Sequence, residues 1–306
     1  MHASGHSKFS LVTAGLAFAT IVLAFSLTLN NSAYGSESLD DNRYEPWEVD
    51  DLPHISNAVK ATAMFVRRSD VAKLSVTDPS EPGRCRLLGR TFAQRYSLCP
   101  GERFADQPAP AYCSGVLVGS DILVTAGHCM RSPIDCAGTA VVFDFTMARG
   151  STTRDLTVPA TSVYVCSSII SRAHDRDTGL DFAVIRLNRP VQGRIPIPMR
   201  AAGQVEADAT LATIGYQSGL PVKISTEGRI RTTSKTAFFT ATLGITDGSS
   251  GSPVIDMDTG LLEGIVVRGP TAFEWADSCF RTKICDDLSC RGEDVTRTTQ
   301  FYQYIP

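Results

Sequence analysis

The chain is poor in histidine, in tryptophan and in clustered positive charge, and each scarcity excludes something. Five histidines and two tryptophans stand among its 306 residues. Lys and Arg number 29 against 32 Asp and Glu, a formal charge of −3, with the basic residues spread along the chain. A nucleic-acid binder concentrates its basic residues, so no nucleic-acid partner is expected. Outside the N-terminal stretch, few segments keep a 3.6-residue apolar period for three turns, which speaks against a coiled coil. Around Cys279, Cys285 and Cys290 no pair has metal-ligand spacing and no histidine is near, so no metal site is expected.

Charge is almost missing from residues 1–35, where Lys8 is the only Lys, Arg, Asp or Glu. Leu11 to Leu29 is uncharged and mostly apolar, and Ala33-Tyr34-Gly35 then offers small residues where a signal peptidase wants them. Residues 1–35 read as a secretory signal cleaved after Gly35. The competing reading is an uncleaved anchor, because the run is long enough to span a bilayer. Thr13, Gly15, Thr20, Ser26 and Thr28 dilute it. Either way the remainder is delivered outside the cytosol, and all nine cysteines lie in that remainder, where an oxidising compartment lets them pair. A secreted protein, extracellular or periplasmic, with no stable membrane association after cleavage is expected.

Residues 36–60 form an acidic arm with Pro46 and Pro53, read as a solvated, disordered N-terminus or as a propeptide lost in maturation. From Ala61 the pattern changes to short β-rich runs separated by Gly, Pro, Asp and Ser. Strands are expected at Ala61–Val66, Ser114–Val118, Ile122–Ala126, Ala140–Phe145, Ser162–Ile169 and Phe182–Leu187. A second set is expected at Leu211–Tyr216, Val222–Ser225, Ala237–Leu243, Pro253–Asp256 and Leu261–Val267. This is an all-β pattern, a sandwich or barrels. The Pro- and Gly-rich stretch Arg189 to Gln204 divides it into halves, 61–192 and 193–306, the second ending in a Cys-rich segment. No sequence repeat relates the halves.

Beyond the leader only His54, His128 and His174 remain. His54 sits in the acidic arm and His174 in a polar run, whereas His128 follows the apolar strand Ile122-Leu123-Val124-Thr125-Ala126-Gly127. A strand end is a rigid mount for an imidazole, though alone it is also the ordinary place for a structural histidine. A second run, Asp247-Gly248-Ser249-Ser250-Gly251-Ser252-Pro253-Val254, lies between two expected strands. Its glycines allow consecutive backbone N–H groups to converge on one point, beside an exposed serine. Acyl transfer needs that geometry: donors for an oxyanion and a hydroxyl that a base can deprotonate. A carboxylate must then hold the imidazole. Asp181, at the mouth of the apolar strand Phe182–Leu187, fits better than Asp175 or Asp177 in the polar run. The order His128, Asp181, Ser250 excludes an α/β-hydrolase, whose histidine follows its serine. It also excludes the Asp-before-His order of subtilisins.

Thr125-Ala126-Gly127-His128-Cys129, Asp181-Phe182-Ala183-Val184-Ile185-Arg186-Leu187 and Gly248-Ser249-Ser250-Gly251-Ser252-Pro253 resemble the three signature motifs of chymotrypsin-fold, trypsin-like serine proteases. The form Gly-x-Ser-Gly-Ser-Pro-Val is similar to the bacterial secreted branch that includes the glutamyl endopeptidases. The resemblance implies two perpendicular six-stranded β-barrels with the active site in the crevice between them. The first barrel would carry His128 and Asp181, and the second Ser250. It implies Ser250 as nucleophile rather than its neighbour Ser249, His128 as general acid/base and Asp181 as the residue that orients it. The N–H groups of Gly248 and Ser250 would form the oxyanion hole. It further implies a Cys113–Cys129 disulfide tying down the histidine loop. Cys85–Cys99 and Cys136–Cys166 are pairings suggested by local spacing, and an odd cysteine is left over. Leu261 to Gly269 resembles the strand that pairs with substrate backbone, with Val266, Val267, Arg268 and Gly269 walling the substrate pocket. Protein or peptide substrates, a monomer, and no metal or organic cofactor are what this chemistry implies. A non-catalytic binding module on the same fold is the rival from another class, and a lipid or ester hydrolase a third.

The pattern departs from its relatives in three places. Glutamate-selective relatives carry a histidine where Val266 stands, and arginine-selective ones an Asp six residues before the serine, where Gly244 stands; Arg268 could attract an acidic side chain but is read as a solvated arginine. The animal trypsin-like branch also has Asp just before the nucleophile, paired after zymogen cleavage with the new N-terminal ammonium, and here that residue is the uncharged Ser249. The serine loop is therefore expected to form without an inserted N-terminus. Activity followed before and after N-terminal processing checks this, and a strict requirement for a free amine beside Ser249 would overturn it.

Overall fold

The computed structural model describes residues 41–49, 51–74, 83–151, 157–245, 248–283 and 291–306. The leader, Asp247, Cys285 and Cys290 lie outside them, so the signal-peptide reading and the pairing of the last two cysteines have no structural counterpart here. No helix among the described residues is long and apolar enough to cross a membrane.

Twelve strands close into two antiparallel barrels of six. The first contains β1 (Thr62–Arg67), β2 (Cys113–Leu117), β3 (Ile122–Thr125), β4 (Thr139–Val142), β5 (Val163–His174) and β6 (Asp181–Leu187). The second contains β7 (Thr210–Gly215), β8 (Lys223–Thr232), β9 (Phe238–Thr242), β10 (Pro253–Asp256), β11 (Leu262–Arg268) and β12 (Glu293–Arg297). Each barrel follows one order: first, second, third, sixth, fifth, fourth, closing on the first. The halves share a topology that their sequences do not show.

Packing explains why these segments are strands. In β2, β3, β4 and β12 every residue is buried, as befits strands facing a filled barrel on one side and covering chain on the other. One apolar cluster runs from Phe65, Val116 and Val184 of the first barrel to Ile214 and Ile265 of the second. A smaller one, around Leu211, Phe239 and Val295, fills the rest of the second. The stretch Arg189 to Gln204 crosses between them, with Ile197 N–H bonded to Leu117 and Arg200 N–H to Leu262.

Strand β12 is absent from the sequence-based expectation, because Glu293-Asp294-Val295-Thr296-Arg297 looks like surface. It is buried because its polar groups are bonded. Thr240 donates to Asp294 at 3.0 Å, the Thr296 hydroxyl to the Asp181 carbonyl at 2.9 Å, and the Arg297 guanidinium to the Thr233 carbonyl at 3.0 Å.

The arm read as solvated is not solvated where it is described. Residues 41–49 pack on the second barrel: Tyr44 and Ile224 exchange both backbone hydrogen bonds. The buried Arg43 guanidinium pairs with Asp41 and lies over the rings of Phe92 and Phe104, 5.7 and 5.2 Å from their centroids. Glu45 meets the fully buried Lys223 at 3.1 Å, and the Gln107 amide bonds to both. Helix α1 (Pro53–Ala61) follows, with Ile55, Ala58 and Ala61 turned into the core. The composition of this segment is acidic, but Asp41 is matched within it by Arg43, and Glu45 and Glu48 by Lys223 and Arg103 from far along the chain.

Three disulfides are present among the described residues. Cys113–Cys129 and Cys136–Cys166 match the expectation. Cys99 pairs with Cys279, not with Cys85, which is a buried free thiol. The correct partner lies 180 residues away, brought near by a backbone ladder in which Cys99 N–H and Phe280 N–H bond to the Phe280 and Ser97 carbonyls.

Burial lowers the Lys223 pKa to about 8, against the opposing pull of Glu45. Glu45→Ala would leave that ammonium uncompensated, at a cost of about 3 kcal/mol. A urea titration should show a clearly lower midpoint; an unchanged midpoint would mean the N-terminal segment does not hold the barrel.

Candidate active site

The first barrel presents an imidazole through a tight turn. After β3, Gly127–Cys129 forms one turn of 3-10 helix, locked by the Cys113–Cys129 bond. A Cβ on Gly127 would sit 2.0 Å from the Ala173 carbonyl oxygen and 3.0 Å from Asp181 Oδ1, so only glycine lets the turn approach β5 and β6 this closely. Arg172 secures it by donating to the Gly127 carbonyl at 2.9 Å.

Asp181 opens β6 and is 1% exposed. Its Oδ1 accepts the His128 backbone N–H at 3.0 Å, and its Oδ2 lies 2.7 Å from His128 Nδ1. The other ring nitrogen, Nε2, lies 2.9 Å from Ser250 Oγ on the second barrel. The structure thus brings together the three side chains that the sequence singles out. The rivals stay apart: Asp175 is exposed and its carboxylate accepts the N–H groups of Asp177 and Thr178, which lowers its pKa. The exposed His174 ring lies 6.0 Å from that of His128, centroid to centroid, and touches neither Asp181 nor Ser250 by hydrogen bond among the described residues.

Ser250 sits in a loop stitched to both barrels. Ser114 N–H bonds to the Ser250 carbonyl at 2.8 Å, Gly251 N–H to Val266 at 2.8 Å and Ser252 N–H to Ser249 at 2.9 Å. Gly248 has φ +83°, a left-handed conformation that packs it against Ser218 and Gly219. Among the described residues neither Gly248 N–H nor Ser250 N–H donates to a protein acceptor. Two donors left beside a hydroxyl suit an oxygen that gains negative charge.

Strand β11 runs beyond β10: their pairing ends at Pro253 with Ile265, extended by Val266 N–H donating to the Ser252 carbonyl and Gly251 N–H donating to the Val266 carbonyl. Val267 to Gly269 therefore keep one edge open near Ser250. A cavity of about 370 Å³ lies there, lined by Gly248, Ser250, Val266, Val267, Arg268 and Gly269. Gly244 does not line it. Arg268 is not simply solvated: it donates to Asp294 and to the Gly179 carbonyl, each at 2.9 Å.

Glu293 also lines this cavity, and sequence reasoning misses it together with its strand. The only signal was a carboxylate next to Asp294 ahead of a short apolar-polar alternation, too weak to read. The cluster Cys113, His128 and Cys129 has its donor atoms within 4.8 Å of one another, but both sulfurs are in the disulfide and offer no thiolate to a metal.

Burial raises the Glu293 pKa from 4.5 to about 7, despite the Leu243 N–H that its carboxylate accepts at 2.8 Å. The folded chain therefore holds a proton that the unfolded chain has released across that window. The stability contributed falls as pH rises from 4.5 to about 7, by about 3 kcal/mol in all. Denaturant unfolding from pH 5 to 8 should show this decline in the parent protein and a flatter profile in Glu293→Gln.

A family model described as trypsin-like peptidase domain matches residues 113–265, a span that carries His128, Asp181 and Ser250. No curated protein sequence matches the chain. Among solved structures, human heparin binding protein is 14% identical, with a TM-score of 0.48 over 81% of this chain and 90% of that one. The scabies mite inactivated protease paralogue S-I1 is 12% identical, with a TM-score of 0.47 over 81% and 93%. The VesB protease of Vibrio cholerae is 15% identical, with a TM-score of 0.47 over 80% and 63%. With half of its length matched by the family model and its fold two closed six-stranded barrels, the chain belongs to the trypsin-like peptidase domain family.

Proposed function

We propose that this peptidase is a secreted serine endopeptidase that works through an acyl-enzyme on Ser250. The observation that carries the proposal is the continuous chain of contacts from Asp181 Oδ2 to His128 Nδ1, 2.7 Å, and from His128 Nε2 to Ser250 Oγ, 2.9 Å. His128 takes the Ser250 proton as Oγ bonds to the substrate carbonyl carbon. The carbonyl oxygen becomes an oxyanion, held by the N–H groups of Gly248 and Ser250. The C–N bond then breaks as His128 returns the proton to the leaving amine, and the acyl group remains on Oγ. Water, deprotonated by the same imidazole, attacks the ester, and the acid departs as Oγ recovers its proton.

Asp181 holds His128 with Nδ1 protonated, so that Nε2 is free to act as base, and offsets the positive charge that forms on the ring. Its near-complete burial keeps water from competing for that bond. Acyl-side substrate backbone would pair with the open edge of Val267 to Gly269. Three disulfides fit delivery into an oxidising compartment.

A fluorophosphonate probe should label Ser250 in the parent protein and leave His128→Ala unlabelled. Ser250→Ala should lose turnover by on the order of a millionfold on a cleaved peptide. A parent protein that takes up no probe and cleaves no member of a peptide library would instead be a binding module.

A further inference from the structure

The two flanks of Ser250 differ in charge, and this carries a substrate preference that the catalytic reading alone does not contain. The flank bounded by β11 belongs to the acyl half of the substrate. It includes a cleft of about 730 Å³ that reaches from His128 to Val267 and Arg268. Four basic residues line it, Arg176, Lys235, Arg268 and Arg291, against four acids, Asp175, Asp177, Asp181 and Asp294, so its formal charges cancel; Arg268 and Arg291 both bind the buried carboxylate of Asp294.

The opposite flank is a second cleft of about 730 Å³ that also touches Gly248, Ser250 and His128 but no residue of β11. By elimination it receives the leaving half. Three arginines line it, Arg67, Arg68 and Arg131, with Asp135 as the one acid. Asp135 Oδ2 accepts the backbone N–H of Arg131 at 3.0 Å. All three arginines are exposed. Among the described residues none of their guanidiniums is paired with a carboxylate.

The placement is built. Arg131 is tethered beside the reaction centre, its Nε donating to the His128 carbonyl at 3.1 Å. Arg68 is fixed at the rim through its N–H on the Gly138 carbonyl at 2.8 Å. Ile134, 82% exposed, stands on the same cleft wall and offers an apolar contact between the charges.

We propose that this cleft selects acidic segments on the C-terminal side of the cleaved bond, with Arg67, Arg68 and Arg131 as specificity-determining residues. The inference rests on the endopeptidase reading and adds the substrate class for its leaving side. The charges are exposed, so the selection acts on encounter and on orientation more than on tight binding. The leaving segment departs when the acyl-enzyme forms, so the preference belongs to kcat/KM and not to deacylation.

The test uses peptides that share one acyl segment, taken from any library member the full-length protein cleaves. They differ only in the three residues after the cleaved bond: acidic, neutral or basic. Acidic peptides should exceed basic ones in kcat/KM by about tenfold at low salt, and the ratio should shrink as salt screens the cleft. Because the ratio is taken within one protein, a loss of overall activity in a variant does not disturb it. The double variant Arg67→Ala with Arg68→Ala should bring it close to one, whereas Arg67→Lys with Arg68→Lys should keep most of it. A ratio near one in the parent protein, or a ratio undiminished in the alanine variant, overturns the proposal while leaving the endopeptidase reading in place. Absence of both fluorophosphonate labelling and cleavage removes the two together.

Discussion

A carboxylate shut away from water must find donors or give up its charge, and Asp181 finds them in one residue. Its two oxygens take the backbone N–H and the ring nitrogen of His128. An unmatched charge at such burial would cost several kcal/mol, so the imidazole is fixed in position by both contacts. The requirement spreads outward. The turn carrying His128 has to press against β5 and β6, which only a residue without a side chain at 127 permits. The Asp181 backbone carbonyl is held in turn by Thr296 of the second barrel. One buried residue, through its carboxylate and its backbone carbonyl, therefore ties together the histidine turn, the start of β6 and a strand from the other half of the molecule.

The serine side is held by a different means. No ionised group sits beside Ser250 in sequence, and its loop is positioned by backbone bonds to β2 and β11 and by the packing of Gly248 on the Ser218–Gly219 turn. Residues 41–49 brace the surroundings: the Asn42 side chain occupies the space a Cβ on Gly244 would need, and Tyr44 pairs with Ile224. The N-terminal segment thus adjoins the stretch that leads into the serine loop. It does so through the Asn42 side chain.

Legibility in the sequence followed locality. Eleven of the twelve barrel strands could be read because their apolar runs are continuous and bounded by turn residues. His128, Asp181 and Ser250 could be read because each sits at the end or start of such a run. The features that escaped are those whose cause lies far along the chain. Strand β12 is polar in sequence and buried only because Thr240, Asp181 and Thr233 supply its partners. Cys99 finds Cys279 through strand-like pairing with Phe280, which spacing does not reveal. The arm looked solvated because its acids were counted without Lys223 and Arg103, which meet Glu45 and Glu48 from elsewhere in the fold.

The same distinction between matched and unmatched charge separates structural from recognition roles around the cleft. On the β11 side Asp294 is a hub: it accepts from Thr240, Arg268 and Arg291 and is almost wholly buried. Glu293 is held by the Leu243 N–H. A ligand charge arriving at Asp294 or Glu293 must compete with bonds already made, and breaking any of them strands a buried group at a cost exceeding what an exposed ion pair returns. Val266, Val267 and the exposed Gly269 line the same cavity and bring no charge of their own. On the opposite side Arg67 and Arg68 have no carboxylate to surrender among the described residues, so a ligand acid gains its full, if modest, attraction. Charge can discriminate only where the protein has not already spent it.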